Sequence, residues 1–189
     1  MAAIHGHHPP SETPAARTAR KRPISGRTQS GKSNAAPQWR MTTWDTDKLT
    51  KGNWATIPFL ERTGIVVDHA ERGFVRLRMP FDLNVNHVGM MYAGALFTLA
   101  EVPGGTLFLT TFDAKRFYPI VKDLKIRFRR PALTDITVEV RMDDDEADRI
   151  MVEADANGKA DYSWECELKD ESGEVVAISQ NLYQMRRIE

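Results

Sequence analysis

Residues 86–112 read NHVGMMYAGALFTLAEVPGGTLFLTTF, and between Val88 and Phe112 the only charged side chain is Glu101. A helix lying on a protein surface shows one apolar stripe and one polar face. This segment has no polar face, so as a helix it must be wrapped on nearly all sides. A carboxylate in the middle of such a helix is costly to bury unless something neutralises it or uses it. The stretch is also long enough to cross a bilayer, but Glu101, Pro103, Gly104 and Gly105 occupy its centre, where charge is most expensive. It stands alone between segments that read as soluble strands, so a core helix is expected and no membrane partner.

On both sides of it the apolar period changes to two. Upstream, Ile65–Asp68 and Phe74–Met79 flank a turn at Glu71-Arg72-Gly73, and Val75, Leu77 and Met79 alternate with Phe74, Arg76 and Arg78. Downstream, Leu124, Ile126 and Phe128 interleave with Lys125, Arg127 and Arg129, and Ile136, Val138 and Val140 with Thr137, Glu139 and Arg141. Ile150, Val152 and Ala154 follow an acidic turn at Asp143–Glu146. Tyr162, Trp164, Cys166 and Leu168 alternate with polar neighbours, and Val175–Tyr183 follows a turn at Ser172-Gly173. This predicts two strands, one long helix, then five strands joined by short turns, hence antiparallel neighbours. One face of such a sheet needs an apolar cover, and only the central helix can supply it. The expected fold is therefore α+β, with a sheet curled around a single helix.

Charge is unevenly spread. Residues 1–40 carry seven Lys/Arg and one acid, Glu12, which leaves 19 bases against 25 acids, a net of −6, on the remainder. A mildly acidic folded part argues against nucleic acid as a partner. Residues 1–38 lack large apolar side chains and are expected to be a disordered basic tail. Residues 39–189 form the domain, beginning with a lead-in where Trp39, Trp44, Trp54 and Phe59 lay aromatic surface over the core or a cleft. Asp45 or Thr46 is expected to cap a short helix there, with boundaries at Ile57-Pro58 and Thr63-Gly64. A lone cysteine, Cys166, excludes an internal disulfide, and no hydrophobic signal-peptide core precedes the domain. A cytoplasmic location is expected; the basic, acid-poor start leaves an organellar transit peptide as the alternative.

Most familiar chemistries find no support. Cys166 alternates with Trp164 and Leu168 and reads as a core residue. His87 reads as a loop residue and His69 as surface. There is no Gly-x-Ser-x-Gly elbow, phosphate-binding glycine loop or His/Cys metal spacing, so no metal is expected. The acids at 143–148 lack the glycine and terminal Glu of a calcium loop and read as a solvated hairpin turn.

Asn86-His87-Val88-Gly89, followed by Gly94-Ala95-Leu96-Phe97-Thr98-Leu99-Ala100-Glu101, resembles the signature of hotdog-fold acyl-CoA thioesterases of the phenylacetate-pathway type. That pattern has Asn, Gly three residues on, a His-Gly-Gly triplet, then Leu-Ala-Asp or Leu-Ala-Glu. The tract Lys122-Asp123-Leu124-Lys125-Ile126-Arg127-Phe128-Arg129-Arg130-Pro131-Ala132 resembles the strand that follows the helix in these proteins. The resemblance covers roughly residues 57–187 and is strongest to a subgroup of uncharacterised domains.

It implies a hotdog fold, hydrolysis of an acyl-CoA thioester with coenzyme A as part of the substrate, and no separate cofactor. It also implies a homodimer or homotetramer with sites between subunits, Glu101 and Asn86 coming from different chains. By position Glu101 falls on the catalytic acid, Asn86 on the active-site asparagine, Gly89 on the glycine after it and Gly94 on the second glycine of the triplet. Tyr92 stands where the family has His, and Ala93 where it has the first Gly. A peptide amide survives the Gly-to-Ala change, whereas the imidazole is lost.

The residues suit those roles. First-turn amides near Tyr92, Ala93 and Gly94 lack intrahelical acceptors and sit at the positive end of the helix dipole, where a thioester oxygen gaining charge would be stabilised. Glu101 lies seven residues past Gly94, two turns along the same face, and could deprotonate water or attack the thioester directly. Arg129 and Arg130 could meet coenzyme A phosphates, or be the wet face of a strand. Three other readings stay open. Glu101 could pair structurally with Arg127 or Arg129. The chain could bind acyl-CoA or lipid without turnover. It could be a hydratase or dehydratase, although that chemistry normally wants an Asp/His pair and His87 is the only histidine nearby.

Overall fold

The computed structural model describes residues 44–53 and 57–189. The tail, Trp39 and Trp54 lie outside the described residues. The lead-in starts with α1 (Thr46–Lys48), capped by Asp45, whose side chain accepts from the Lys48 amide, and runs into a wide turn at Leu49–Asn53. Proline at the first position and a left-handed Gly64 at the end bound α2 (Pro58–Thr63). Leu49 and Leu60 are buried and Trp44 packs on the same core, while Phe59 is exposed. The expected aromatic cover is thus carried by Trp44.

The hairpin forms as expected from β1 (Val66–Glu71) and β2 (Phe74–Met79), with Val75, Leu77 and Met79 inward and completely buried. The central stretch gives α3 (Ala93–Glu101) and α4 (Pro103–Thr111), one rod interrupted at Val102. Pro103 has no N–H, so the Leu99 carbonyl has no i+4 donor and the ladder breaks there. Then come β3 (Phe117–Phe128), β4 (Ile136–Arg141), α5 (Asp144–Asn157), β5 (Lys159–Lys169) and β6 (Val175–Arg187).

All six strands form one antiparallel sheet in the order β1-β2-β4-β5-β6-β3. Between them α3 and α4 touch every strand, and Leu99 and Leu107 are completely buried. Burial of this kind contributes about 1.5–3 kcal/mol for each such side chain. The 19-residue rod is long and apolar enough to cross a membrane; here the sheet covers most of it. This is the hotdog fold.

One expected strand is a helix. Ile150, Val152 and Ala154 belong to α5, so four strands follow the central rod and not five. Ala147, Ile150 and Ala154 are buried at helical spacing, while Val152 is 71% exposed. The acids at 143–146 begin the helix instead of making a hairpin turn. Asp143 accepts from the Glu146 amide, three more acids occupy the first turn, and left-handed Gly158 ends it. The helix closes a second core with Phe108, Phe112, Phe117, Tyr162, Tyr183 and Met185.

Edge positions decide what remains open. β1 and β3 are the two outer strands. Along β3, Tyr118, Val121 and Phe128 are exposed and Leu124 and Ile126 only half-buried. On the rod, Tyr92, Ala93 and Phe97 are exposed, and Gly94, Glu101 and Gly105 half-buried. Those positions trace a seam along α3 and α4 that the other described residues leave uncovered.

Candidate active site

The start of α3 is fixed by a loop tied to itself. Asn84 donates through Nδ2 to the carbonyls of Thr63 and Pro80, both over 2.8 Å, and its own carbonyl accepts from the Tyr92 amide. Asn86 Oδ1 accepts from the amides of Val88 (2.9 Å) and Met90 (3.2 Å), and its main chain bonds Met90 and Gly89. This turn holds Gly89 at φ 78°. Asn86 Nδ2 makes no hydrogen bond among the described residues.

Of the three first-turn amides expected to face a ligand, Tyr92 is therefore spent on Asn84. The amides of Ala93 and Gly94 have no acceptor among the described residues, since the Tyr92 carbonyl takes Ala95 and Leu96 instead. Tyr92 folds its ring back over the helix start. A Cβ added to Gly94 would lie 2.3 Å from Tyr92 Cε1, so glycine there makes room for the ring.

Beside this turn is a cleft of about 330 Å³ lined by Asn86, Ala93, Leu96, Phe128, Arg129 and Arg130, among others. It brings together Asn86, Ala93 and both arginines. Arg130 pairs with Glu174, whereas Arg129 has no ion pair among the described residues. Gly89, Tyr92 and Gly94 adjoin the cleft without lining it. A larger cleft of about 580 Å³ opens where β4 and β5 part after two paired residues; it holds none of the expected site residues.

Glu101 does not line the 330 Å³ cleft. It lies eight residues past Ala93, about 12 Å along the axis at 1.5 Å per residue. Its carboxyl is half-buried, and burial holds its pKa above the ordinary carboxylate value. Neither Arg127 nor Arg129 reaches it. Among the described residues the carboxylate has no ion pair and no hydrogen bond. His87 is exposed on the loop and His69 packs against Phe74 at the surface.

Residues 47–183 match the family model described as "Domain of unknown function (DUF4442)". The chain is 53% identical to a Pseudomonas aeruginosa protein of unknown function described as a probable thioesterase, covering 77% of this chain and 98% of that one at a TM-score of 0.73. This chain belongs to the DUF4442 family. The DUF4442 fold is shared by a Haemophilus influenzae thioesterase, at 13% identity, TM-score 0.59, and coverage of 77% and 93%. It is also shared by the Escherichia coli PaaI protein of the phenylacetic acid degradation operon, at 15% identity, TM-score 0.52, and coverage of 73% and 89%. No curated protein matches the sequence.

Pattern reading of this DUF4442 chain missed a buried polar chain beneath Glu101. Cys166 Sγ lies 3.1 Å from Ser179 Oγ, which donates to Asn181 Oδ1 (2.7 Å). Asn181 Nδ2 donates to the Ala100 carbonyl (2.8 Å) and to Tyr183 Oη (2.9 Å), and Tyr183 donates to the Glu101 carbonyl (2.8 Å). Cys166 is a buried core residue whose thiol pKa is pushed up by burial. The signal was present on β6, where Ser179 and Asn181 share the inward parity of Ala177, Tyr183 and Met185. Small polar residues at apolar positions of a strand mark a hydrogen-bonded core.

Proposed function

We propose that this DUF4442 protein is a thioesterase that hydrolyses acyl-CoA, with Glu101 as general base or nucleophile. The observation carrying this reading is the Glu101 carboxylate itself, half-buried, raised in pKa and without a cation partner among the described residues. A carboxyl kept for structure would be neutralised by a partner, and acids whose pKa burial raises, left without a partner, are candidates for functional sites. In the general-base route Glu101 takes a proton from water and the oxygen adds to the thioester carbon. The Ala93 and Gly94 amides stabilise the oxyanion, the C–S bond breaks, and the thiolate leaves with the proton. In the nucleophilic route the carboxylate adds to the thioester carbon and the C–S bond breaks to release the thiolate. Water then hydrolyses the resulting anhydride, restoring the Glu101 carboxylate and leaving a proton for the thiolate. Arg129, which lines the cleft without an ion pair among the described residues, meets a coenzyme A phosphate.

The protein acts as a homodimer or larger homo-oligomer. Within one chain Glu101 and the free amides are about 10–12 Å apart along the helix, too far for one reacting centre. A second copy pairing at the bare edge of β3 covers the seam and brings its own Glu101 to the first chain's Asn86 and amides. The exposed Tyr118, Val121 and Phe128 on that edge support this arrangement. The test is thiol release from a panel of acyl-CoAs by the parent protein and Glu101→Gln. Loss of turnover by about 10²–10⁴-fold in the variant is the expected result for a general base. Acyl-CoA binding with no turnover in either protein would make this a carrier and sink the enzymatic reading.

A further inference from the structure

We infer that Tyr183 and Asn181 are positioning residues that clamp the main chain at Glu101, and through it fix where the Glu101 carboxylate stands. This inference rests on the proposed role of Glu101. That carboxylate has no hydrogen bond or ion pair of its own among the described residues, so its position is dictated by the backbone that carries it. The backbone is weak at this point. Pro103, two residues on, removes the donor for Leu99, and the helix is interrupted at Val102. A break of this kind lets the flanking turns shift relative to each other.

The strand beneath supplies what the helix lacks. Asn181 and Tyr183, 2% and 1% exposed, donate to the two consecutive carbonyls that precede the break, Ala100 and Glu101, each over 2.8 Å. They are bonded to each other, and Ser179 fixes which way the Asn181 amide faces, because its hydroxyl donates to Oδ1 and leaves Nδ2 for the helix. Gly104 completes the fit. A Cβ there would stand 2.0 Å from Tyr183 Cε1, so only glycine lets the ring approach closely enough for its hydroxyl to reach Glu101. Tyr183 also stacks on Trp164 and Tyr162.

Tyr183→Phe keeps the ring and removes the hydroxyl, and with it both the bond to the Glu101 carbonyl and the one accepted from Asn181. The experiment is its steady-state kinetics against pH beside the parent and Glu101→Gln. The expected result is a kcat lower by about tenfold with KM within about twofold. The acid limb of kcat/KM moves down in pH, as a loosened Glu101 becomes better hydrated. A residue that merely stabilises the fold would lower Tm and leave kcat and the acid limb unchanged at a temperature well below unfolding; that outcome overturns the inference. Should Tyr183→Phe fail to fold, Ser179→Ala carries the same test one bond further out. There a fall in kcat of about two- to fivefold with the same movement of the limb is expected, and an unmoved limb overturns it. Failure of the underlying reading is separately visible, since Glu101→Gln would then retain the parent rate.

Discussion

Gly104 and Tyr183 occupy one another's space: the ring of Tyr183 lies where a side chain on Gly104 would begin, with only 2.0 Å between a built Cβ and Cε1. Gly105, next along, has nothing within 4 Å of the same construction. The two glycines are therefore not equivalent. Gly104→Ala should destabilise by about 1–3 kcal/mol through overpacking against a ring that cannot retreat. Gly105→Ala should stabilise by up to about 1 kcal/mol through helix propensity. Urea unfolding of the two variants checks the contrast.

Glu101 links stability to pH with an unusual sign. Its pKa is raised in the folded state by burial, so between the ordinary carboxylate value and the folded one the native protein holds the extra proton. Stability from this group is fully present below the unfolded pKa and is lost as pH rises through the folded pKa. Glu101→Gln removes that loss and should raise Tm at pH 7 relative to the parent. The gain should vanish near pH 4. Calorimetry of both proteins across that range reads the difference.

The parent enzyme's hydrolysis should show an acid limb from the same group. Activity is expected to rise with pH through a midpoint above the usual carboxylate range, because only the deprotonated form can take a proton or attack. A pH–rate profile of kcat/KM measures it, and Glu101→Gln should flatten it.

The proposed sharing of sites between chains makes a further prediction. Asn86→Ala and Glu101→Gln should each be inactive alone. Unfolded together and refolded as a one-to-one mixture, they should recover about a quarter of the parent activity, because half the dimers are mixed and each carries one intact site. Sites contained in one chain would give no recovery.

The helical nature of α5 can be tested directly. Ile150 is completely buried and Val152 is mostly exposed, so Ile150→Ala should cost about 2–5 kcal/mol and Val152→Lys within about 0.5 kcal/mol. On one face of a strand the two would be equally damaging. Thermal melts of the pair distinguish the cases.

The central rod, the first hairpin, β4, β5 and β6 were legible because each repeats its period over enough residues to fix it. Ile150, Val152 and Ala154 misled because three alternating residues fit a strand while Ala147, Ile150 and Ala154 fit a helix. The helix signals lay outside that window, in the Asp143 cap and the Gly158 stop. Glu101 stood out in the sequence as the one charge in an apolar run. That the Tyr92 amide is spent was not readable, since its acceptor, the Asn84 carbonyl, is delivered by a loop whose shape depends on Thr63 and Pro80. Tertiary hydrogen bonds of this kind leave no local pattern.

The bare flank of β3 also carries a hazard. Strand edges that expose unpaired amides and aromatic side chains recruit any extended segment they meet, and natural proteins guard them with charge. Lys122, Lys125 and Arg127 lie exposed among the apolar residues of this strand, the kind of charge that guards an edge. Substitutions that remove those cations leave the edge without this guard and favour precipitation, so solubility becomes a second constraint on which substitutions this edge tolerates.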